Sequence, residues 1–403
     1  MTATTPELTT DHTRATADEA HSHGLVTGSE APEASRAART TSFDVADFPE
    51  ITGSEEEWRF SAVDHLAPLL ADRAADGHLT WSTDGTDLPD GVTLRQVDAE
   101  AARAASVRAP GDRASAIAVA RSGGAVEIAV AANTAVAEPV EITLSGDGQD
   151  VRGHLLVTVG TSAEATLIID RTGTATYSEF ISVDLADNAQ LNLVLLQSWS
   201  DDAVHAGEVV ARLGRDARLR GTVVSLGGKV VRLNTSAALS APGGDVELYG
   251  LYYSDAGQHL EHQLFVDHAA PNCRSRVTYK GALQGTDARS VWIGDVLIRK
   301  EAEGTDTYEL NRNLVLTPGA RADSVPNLEI ETGEIEGAGH ASATGRFDDE
   351  QLFYLKARGI PEDVARRLVV RGFFAELIQQ IGVPAVESRL EAAIEAELEV
   401  TGQ

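Results

Sequence analysis

Three stretches of the chain share one form and one spacing: DNAQLNLVLLQS from Asp187, RDARLRGTVVSL from Arg215 and GGDVELYGLYYS from Gly243. Each is a polar turn followed by a strand-like run, and their starts fall 28 residues apart in both steps. A repeat of this size built from strand and turn alone points to the stacked coils of a β-solenoid, in which each coil packs only on its neighbours. TSAEATLIIDR from Thr161 and PGARADSVPNLEI from Pro318 repeat the form less regularly. A propeller needs a longer repeat with its own blade signature, and a lipocalin-like barrel is too short for the run.

The surrounding sequence agrees. From about Ser115 to Leu328, runs such as VEIAVAA, HLLVTVG and LNLVLLQS are rich in Val, Ile, Leu and Thr, and small or polar turns separate many of them. No clear helical segment intervenes, which argues against a doubly wound sheet with crossover helices. The expected architecture is mainly β: a parallel β-helix over residues 113–345, between helical domains at 41–112 and 346–403. Residues 1–40 lack an apolar period and read as a disordered tail that carries His12, His21 and His23.

In the first helical region, Ser54 three residues before Glu57 has capping-box spacing, and Pro68 is expected to kink or divide the helix that follows. At the other end, Asp348 or Asp349 is the expected N-cap of a helix that Gly359 stops, and Pro361 opens the next helix at its first position. Ala365, Val369, Phe373, Leu377 and Ile381 then form a four-residue stripe, followed by Val386, Leu390, Ile394 and Leu398 in a third helix. Such stripes must be buried against the solenoid end or against another protein.

Composition narrows the function. A formal net charge of −29 repels a phosphate backbone and argues against nucleic acid as a partner. One cysteine, Cys273, leaves no intramolecular disulfide and no thiolate cage for zinc or an iron–sulfur cluster. No leader-like segment opens the sequence and no apolar run approaches a membrane span, so the expectation is a soluble, cytoplasmic protein without a membrane partner.

Nucleotide, metal and nucleophile motifs fail in turn. GAGHAS has Ser342 where the dinucleotide fingerprint needs glycine, and Val230 follows Gly228-Lys229 where a phosphate loop needs Ser or Thr. Strand alternation puts His262 and His268 on one face and His259 with Glu261 and Asp267 on the other, so these groups are expected to be structural or partner-facing rather than a metal site. There is no G-x-S-x-G elbow, and Cys273 has no evident base beside it. No enzyme is expected. A β-helix carbohydrate-active enzyme would need paired carboxylates in an aromatic-lined cleft, and aromatics make up only 5% of the chain.

The segment YELNRNLVLTPGARADSVPNLEIETGEIEGAGHASATGRFDDEQLFYLKARGI resembles the SufB/SufD family of iron–sulfur cluster assembly proteins, as do HQLFVDHAAPNCRSRVTYKGAL and EEWRF. The similarity spans roughly residues 55–385. In SufB the strand matching YELNRNLVL carries a cysteine essential to assembly; Asn311 stands there, so the chain sides with the SufD branch. The resemblance implies a right-handed parallel β-helix and a non-catalytic scaffold that pairs with SufB and binds the ATPase SufC through its C-terminal helices. Phe353, Tyr354, Arg358, Phe373 and Leu377 are the residues expected at the SufC contact. It also implies that His340 faces the SufB cysteine, with small neighbours that leave the imidazole free to ligate iron. Ala338 stands where some relatives have cysteine. No cofactor is expected to be held stably by this chain alone; the cluster would be transient at the shared interface. A homodimeric SufC-binding adaptor is the alternative partnering.

Overall fold

The computed structural model describes residues 36–83, 85–347 and 349–400. The tail expected over residues 1–40, with its three histidines, therefore lies almost wholly outside the described residues, as does Asp348. The N-terminal part is less helical than its sequence suggests. It contains α1 (Val63–Leu70), β1 (Thr80–Ser82), β2 (Val92–Asp98), α2 (Ala99–Ala105) and α3 (Arg113–Arg121). β2 runs antiparallel to β3 (Gly124–Val130), and β1 antiparallel to β4 (Val140–Val159), so short strands cover the edge with which the solenoid begins.

The Ser54–Glu57 capping box does not form. Glu55 instead accepts from the Thr52 N–H and hydroxyl and from the Gly53 N–H, and the segment turns through a short 3₁₀ helix at Glu56–Trp58. Pro68 falls in the last turn of α1, so the helix is not divided there and ends two residues later.

β4 pairs parallel along its length with β5 (Glu164–Leu185), and both long strands run through the two walls of the solenoid. The first half of β5 pairs with β6 (Gln190–Trp199) and its second half with β7 (Val204–Leu213). From there each coil contributes one strand to each wall, all parallel. One wall runs from β6 through β8 (Arg218–Ser225), β10 (Asp245–Ser254), β12 (Arg274–Leu283), β14 (Asp306–Val315) and β16 (Gly337–Arg346). The other runs from β7 through β9 (Val230–Leu239), β11 (His259–His268), β13 (Arg289–Ile298) and β15 (Arg321–Ile330).

The 28-residue spacing of the sequence is one turn of this coil: Gln190 pairs with Arg218, and the later coils add or drop a few residues in their loops. Its cause is visible at one corner. Asn188, Asp216, Gly243 and Asn272 take left-handed φ of 59°, 53°, 80° and 57°, which Asn, Asp and Gly tolerate best. Their N–H groups bond to the carbonyl of the next coil's corner: Asn188 to Arg215, Asp216 to Pro242, Gly243 to Pro271 and Asn272 to Glu303. The turns thus stack in register as the strands do.

The interior is packed by Val, Ile, Leu and stacked rings such as Tyr252 on His262, 5.0 Å apart. The C-terminal α4 (Asp349–Ala357), α5 (Glu362–Gln380) and α6 (Pro384–Val400) follow the last strand. Pro361 is the residue before α5 rather than its first, with extended ψ of 149°. Phe374, Leu377, Ile381, Val386 and Leu390 bury themselves against Val194, Val224, Leu251 and Tyr253 on the flank of the first wall, not on the solenoid end. Strict four-residue spacing drifts around a 3.6-residue helix, so Val369 and Phe373 of the expected stripe are only half-buried while Val370 and Phe374 are sealed. No helix among the described residues is long and apolar enough to cross a membrane.

Candidate functional site

The last coil is where the solenoid leaves its interior uncovered. Among the described residues β15 and β16 each pair on one side only, with β13 and β14. Along β16, Ala338, His340, Ser342 and Thr344 share one face by the two-residue alternation of a strand. Ser342 donates to Ser324 of β15 at 2.8 Å across the coil, and Asn313 of β14 reaches Thr344 at 3.5 Å, so this face looks inward. Among the described residues no further strand stacks on it, and His340 is exposed. Its flanking residues Gly339 and Ala341 leave it unobstructed; a Cβ on Gly339 would come within 3.3 Å of the Tyr308 ring on the coil below.

The coil beneath is polar in the same column. β14 turns Thr307, Glu309, Asn311 and Asn313 inward, all buried. Asn311 donates to the Tyr252 hydroxyl at 2.9 Å, Asn313 donates to the Asn311 carbonyl at 2.8 Å, and Tyr252 donates to Asn313 at 2.6 Å, a closed network. Asn311 is therefore a fixed structural amide. Glu309 is paired in register with His340 and is 1% exposed, and neither carboxyl oxygen has a hydrogen-bond partner among the described residues. Burial, with the Asp295 charge adding to it, pushes this carboxyl up to about 8. Reading the sequence missed Glu309. Its signal is the run of polar residues at alternate positions 307, 309, 311 and 313, where β10 and β12 place Val246, Leu248, Val277 and Tyr279 in the interior.

The other expected site residues divide. On α4, Phe353 is 73% exposed and Tyr354 55%, with the Arg358 guanidinium 4.3 Å over the Tyr354 ring. Phe373 is half-buried beside Lys280, whose ammonium lies 5.6 Å from the ring. Leu377 is 1% exposed and packs on the solenoid flank, so it holds α5 in place and is not offered to a partner. The histidines of β11 separate as their spacing requires. His262 and His268 lie inside and meet Ser225 and Ser275, and burial holds both rings down at about 4; His259 lies on the outer face, 3.4 Å from Glu261. Cys273 is buried, which pushes its thiol up, and its sulfur lies against the Ala241 and Pro271 carbonyls.

Comparison with known proteins decides the family. The model of the SUF system FeS cluster assembly SufBD core domain matches residues 142–373, most of the solenoid and part of α5. The chain belongs to the SufBD family. A SufBD family iron–sulfur cluster assembly protein of Mycobacterium bovis is 52% identical over 369 residues, 89% of this chain and 92% of that one. One from Mycobacterium leprae is 50% identical over 371 residues, 89% of this chain and 93% of the other. The iron–sulfur cluster assembly protein SufD of Escherichia coli is 28% identical over 264 residues, 63% of this chain and 62% of its own. In this SufBD protein the described solenoid ends on a strand edge that carries the exposed His340.

Proposed function

We propose that the chain is the SufD-type subunit of a cytoplasmic SUF assembly complex, a scaffold without catalysis of its own. It pairs with SufB through the open last coil and binds the ATPase SufC through the exposed face of α4. One observation carries the reading: His340 stands exposed on an unpaired edge strand while the coil beneath it is locked by the Tyr252, Asn311 and Asn313 network. A rigid floor with one free imidazole suits a donor presented to a partner.

The nascent cluster is the cargo. The imidazole of His340 supplies one nitrogen donor and a SufB thiolate supplies sulfur, because the chain's lone cysteine is sealed inside. Phe353, Tyr354 and Arg358 give SufC an apolar and cationic patch, and the half-buried Phe373 on α5 adds a second contact. ATP hydrolysis then belongs to SufC.

The test is iron and acid-labile sulfide in the anaerobically co-purified complex with SufB and SufC, for the native chain and His340→Ala, with complex size measured alongside. A complex of unchanged size that has lost its cluster supports the reading. Retention of cluster by the mutant complex overturns the role of His340. The chain alone should purify colourless; strong colour with labile sulfide would refute the scaffold assignment.

A further inference from the structure

A cleft of about 300 Å³ opens where the solenoid begins, between β1, the end of β2, the start of β3 and residues 151–155 of β4. That volume is at the low end of the ~300–1,000 Å³ range of small-molecule sites, which suits a single ring system with a small appendage. It shares no residue with the last coil or with α4 to α6, so it is independent of the assembly reading.

The lining is almost without charge, although 24% of the chain is Asp, Glu, Lys or Arg. The one such residue in it is Arg152. Its side chain is fully buried, and its guanidinium is committed to the Asp150 carboxylate and the Val151 carbonyl. An anion therefore finds no free cation in this cleft, and a cation finds no carboxylate.

Rings and bare backbone make the walls. Trp81 is half-buried, the buried Tyr177 closes the inner end, and Gly123 adds no side chain. A Cβ on Gly123 would meet nothing within 4 Å, so the backbone there is open to a flat group. Of the chain's four tryptophans, Trp58, Trp199 and Trp292 are buried, and Trp81 alone keeps surface on which another ring can pack.

The polar handles are at the rim and within reach of solvent. Gln96 and His78 are exposed, and neither side chain has a hydrogen-bond partner among the described residues. A carboxamide sets a donor beside an acceptor, the pair that matches the N7 and N6–H edge of adenine.

We propose that this cleft binds an uncharged adenine nucleoside, its base packed on Trp81 and its donor–acceptor edge held by the Gln96 carboxamide. The His78 imidazole is the remaining polar group for a ribose hydroxyl. A nucleotide is disfavoured, because its phosphate would enter a neutral cleft of a chain with net charge −29.

The test is titration of the full-length chain with adenosine, AMP and ribose, read by tryptophan fluorescence, to which Trp81 is the one accessible contributor. Adenosine should change the signal saturably, AMP should bind at least ~10-fold more weakly, and ribose should give no saturable change. Gln96→Leu, on an exposed strand edge, should keep the signal and weaken adenosine at least ~5-fold, the lower end for a paired contact to a base edge. Trp81→Leu, followed by calorimetry, should weaken it likewise, and Gln96→Leu stands in if that variant does not fold. No saturable response to adenosine at millimolar concentration overturns the site. Equal affinity of adenosine for Gln96→Leu and the parent overturns the carboxamide contact, and AMP binding as tightly as adenosine overturns the selection for an uncharged ligand.

Discussion

Glu309 and His340 are register partners on the last two coils, one sealed to 1% exposure with no hydrogen bond to its carboxyl, the other open to solvent. A carboxyl held at about 8 when folded and near ~4.3 when unfolded keeps its proton in the fold after the unfolded chain has lost it. Stability from this group is therefore full below the unfolded value and declines as pH rises toward 8. Glu309→Gln imitates the protonated acid and should abolish the decline. In urea unfolding, the mutant should gain on the parent by ~1–3 kcal/mol between pH 5 and 8, because only the parent must hold a proton that its unfolded chain releases. A difference that does not change with pH would mean that Glu309 ionises freely.

Leu377 and Phe353 separate anchoring from docking. Leu377 is 1% exposed against the solenoid flank and Phe353 is 73% exposed on α4. Leu377→Ala should lower unfolding stability by ~2–5 kcal/mol, since its cavity lies in a close-packed seam. Phe353→Ala should stay within ~0.5 kcal/mol of the parent in the isolated chain. Its effect should emerge as weaker retention of SufC in a pull-down. Normal SufC retention by Phe353→Ala would take α4 out of the proposed contact.

The corner ladder makes a prediction about backbone alone. Gly243 sits at φ 80°, and a Cβ there would run into the Asp216 carboxylate of the preceding coil. Gly243→Ala should cost ~1–3 kcal/mol in thermal or urea unfolding. Asn188→Gly, at the equivalent corner with φ 59°, should be close to neutral, because glycine enters the same region without strain. Equal effects of the two would show that the corners are held by their side chains rather than by backbone conformation.

Much of this was legible because a solenoid writes its geometry locally. The corner residues Asn188, Asp216 and Gly243 recur with the coil, and strand alternation separated His262 and His268 from His259 and Glu261, while which face is the interior came from the packing. What escaped depends on residues brought together from distant coils. Glu309 is brought beneath His340, 31 positions further on, only by the coil. The strands β1 and β2 were hidden for a related reason: VTLRQV alternates, but what fixes it as strand is the free edge of β3.

Arg232 lies on the outer face of β9, where the N-terminal segment meets the solenoid. Its guanidinium lies 3.7 Å over the Trp58 ring, 2.8 Å from Asp112 and 3.2 Å from Glu261, and all four residues are buried. Burial pushes Glu261 up, but the His259 ring and the Arg232 charge outweigh it, with Gln263 assisting, and hold the carboxyl at about 2. A depressed carboxyl contributes stability that is present above its unfolded value of ~4.3 and lost as pH falls through the folded one. Arg232→Met leaves Asp112 and Glu261 buried without their shared cation, so it should cost about 3–5 kcal/mol at pH 7. The gap between parent and mutant should narrow as pH falls from ~4.3 toward 2, because the parent then loses the same charge pair by protonation. Chemical unfolding of both chains across that range reads it directly. A gap of constant size would mean that Arg232 stabilises this seam through its packing on Trp58 and not through its carboxylates.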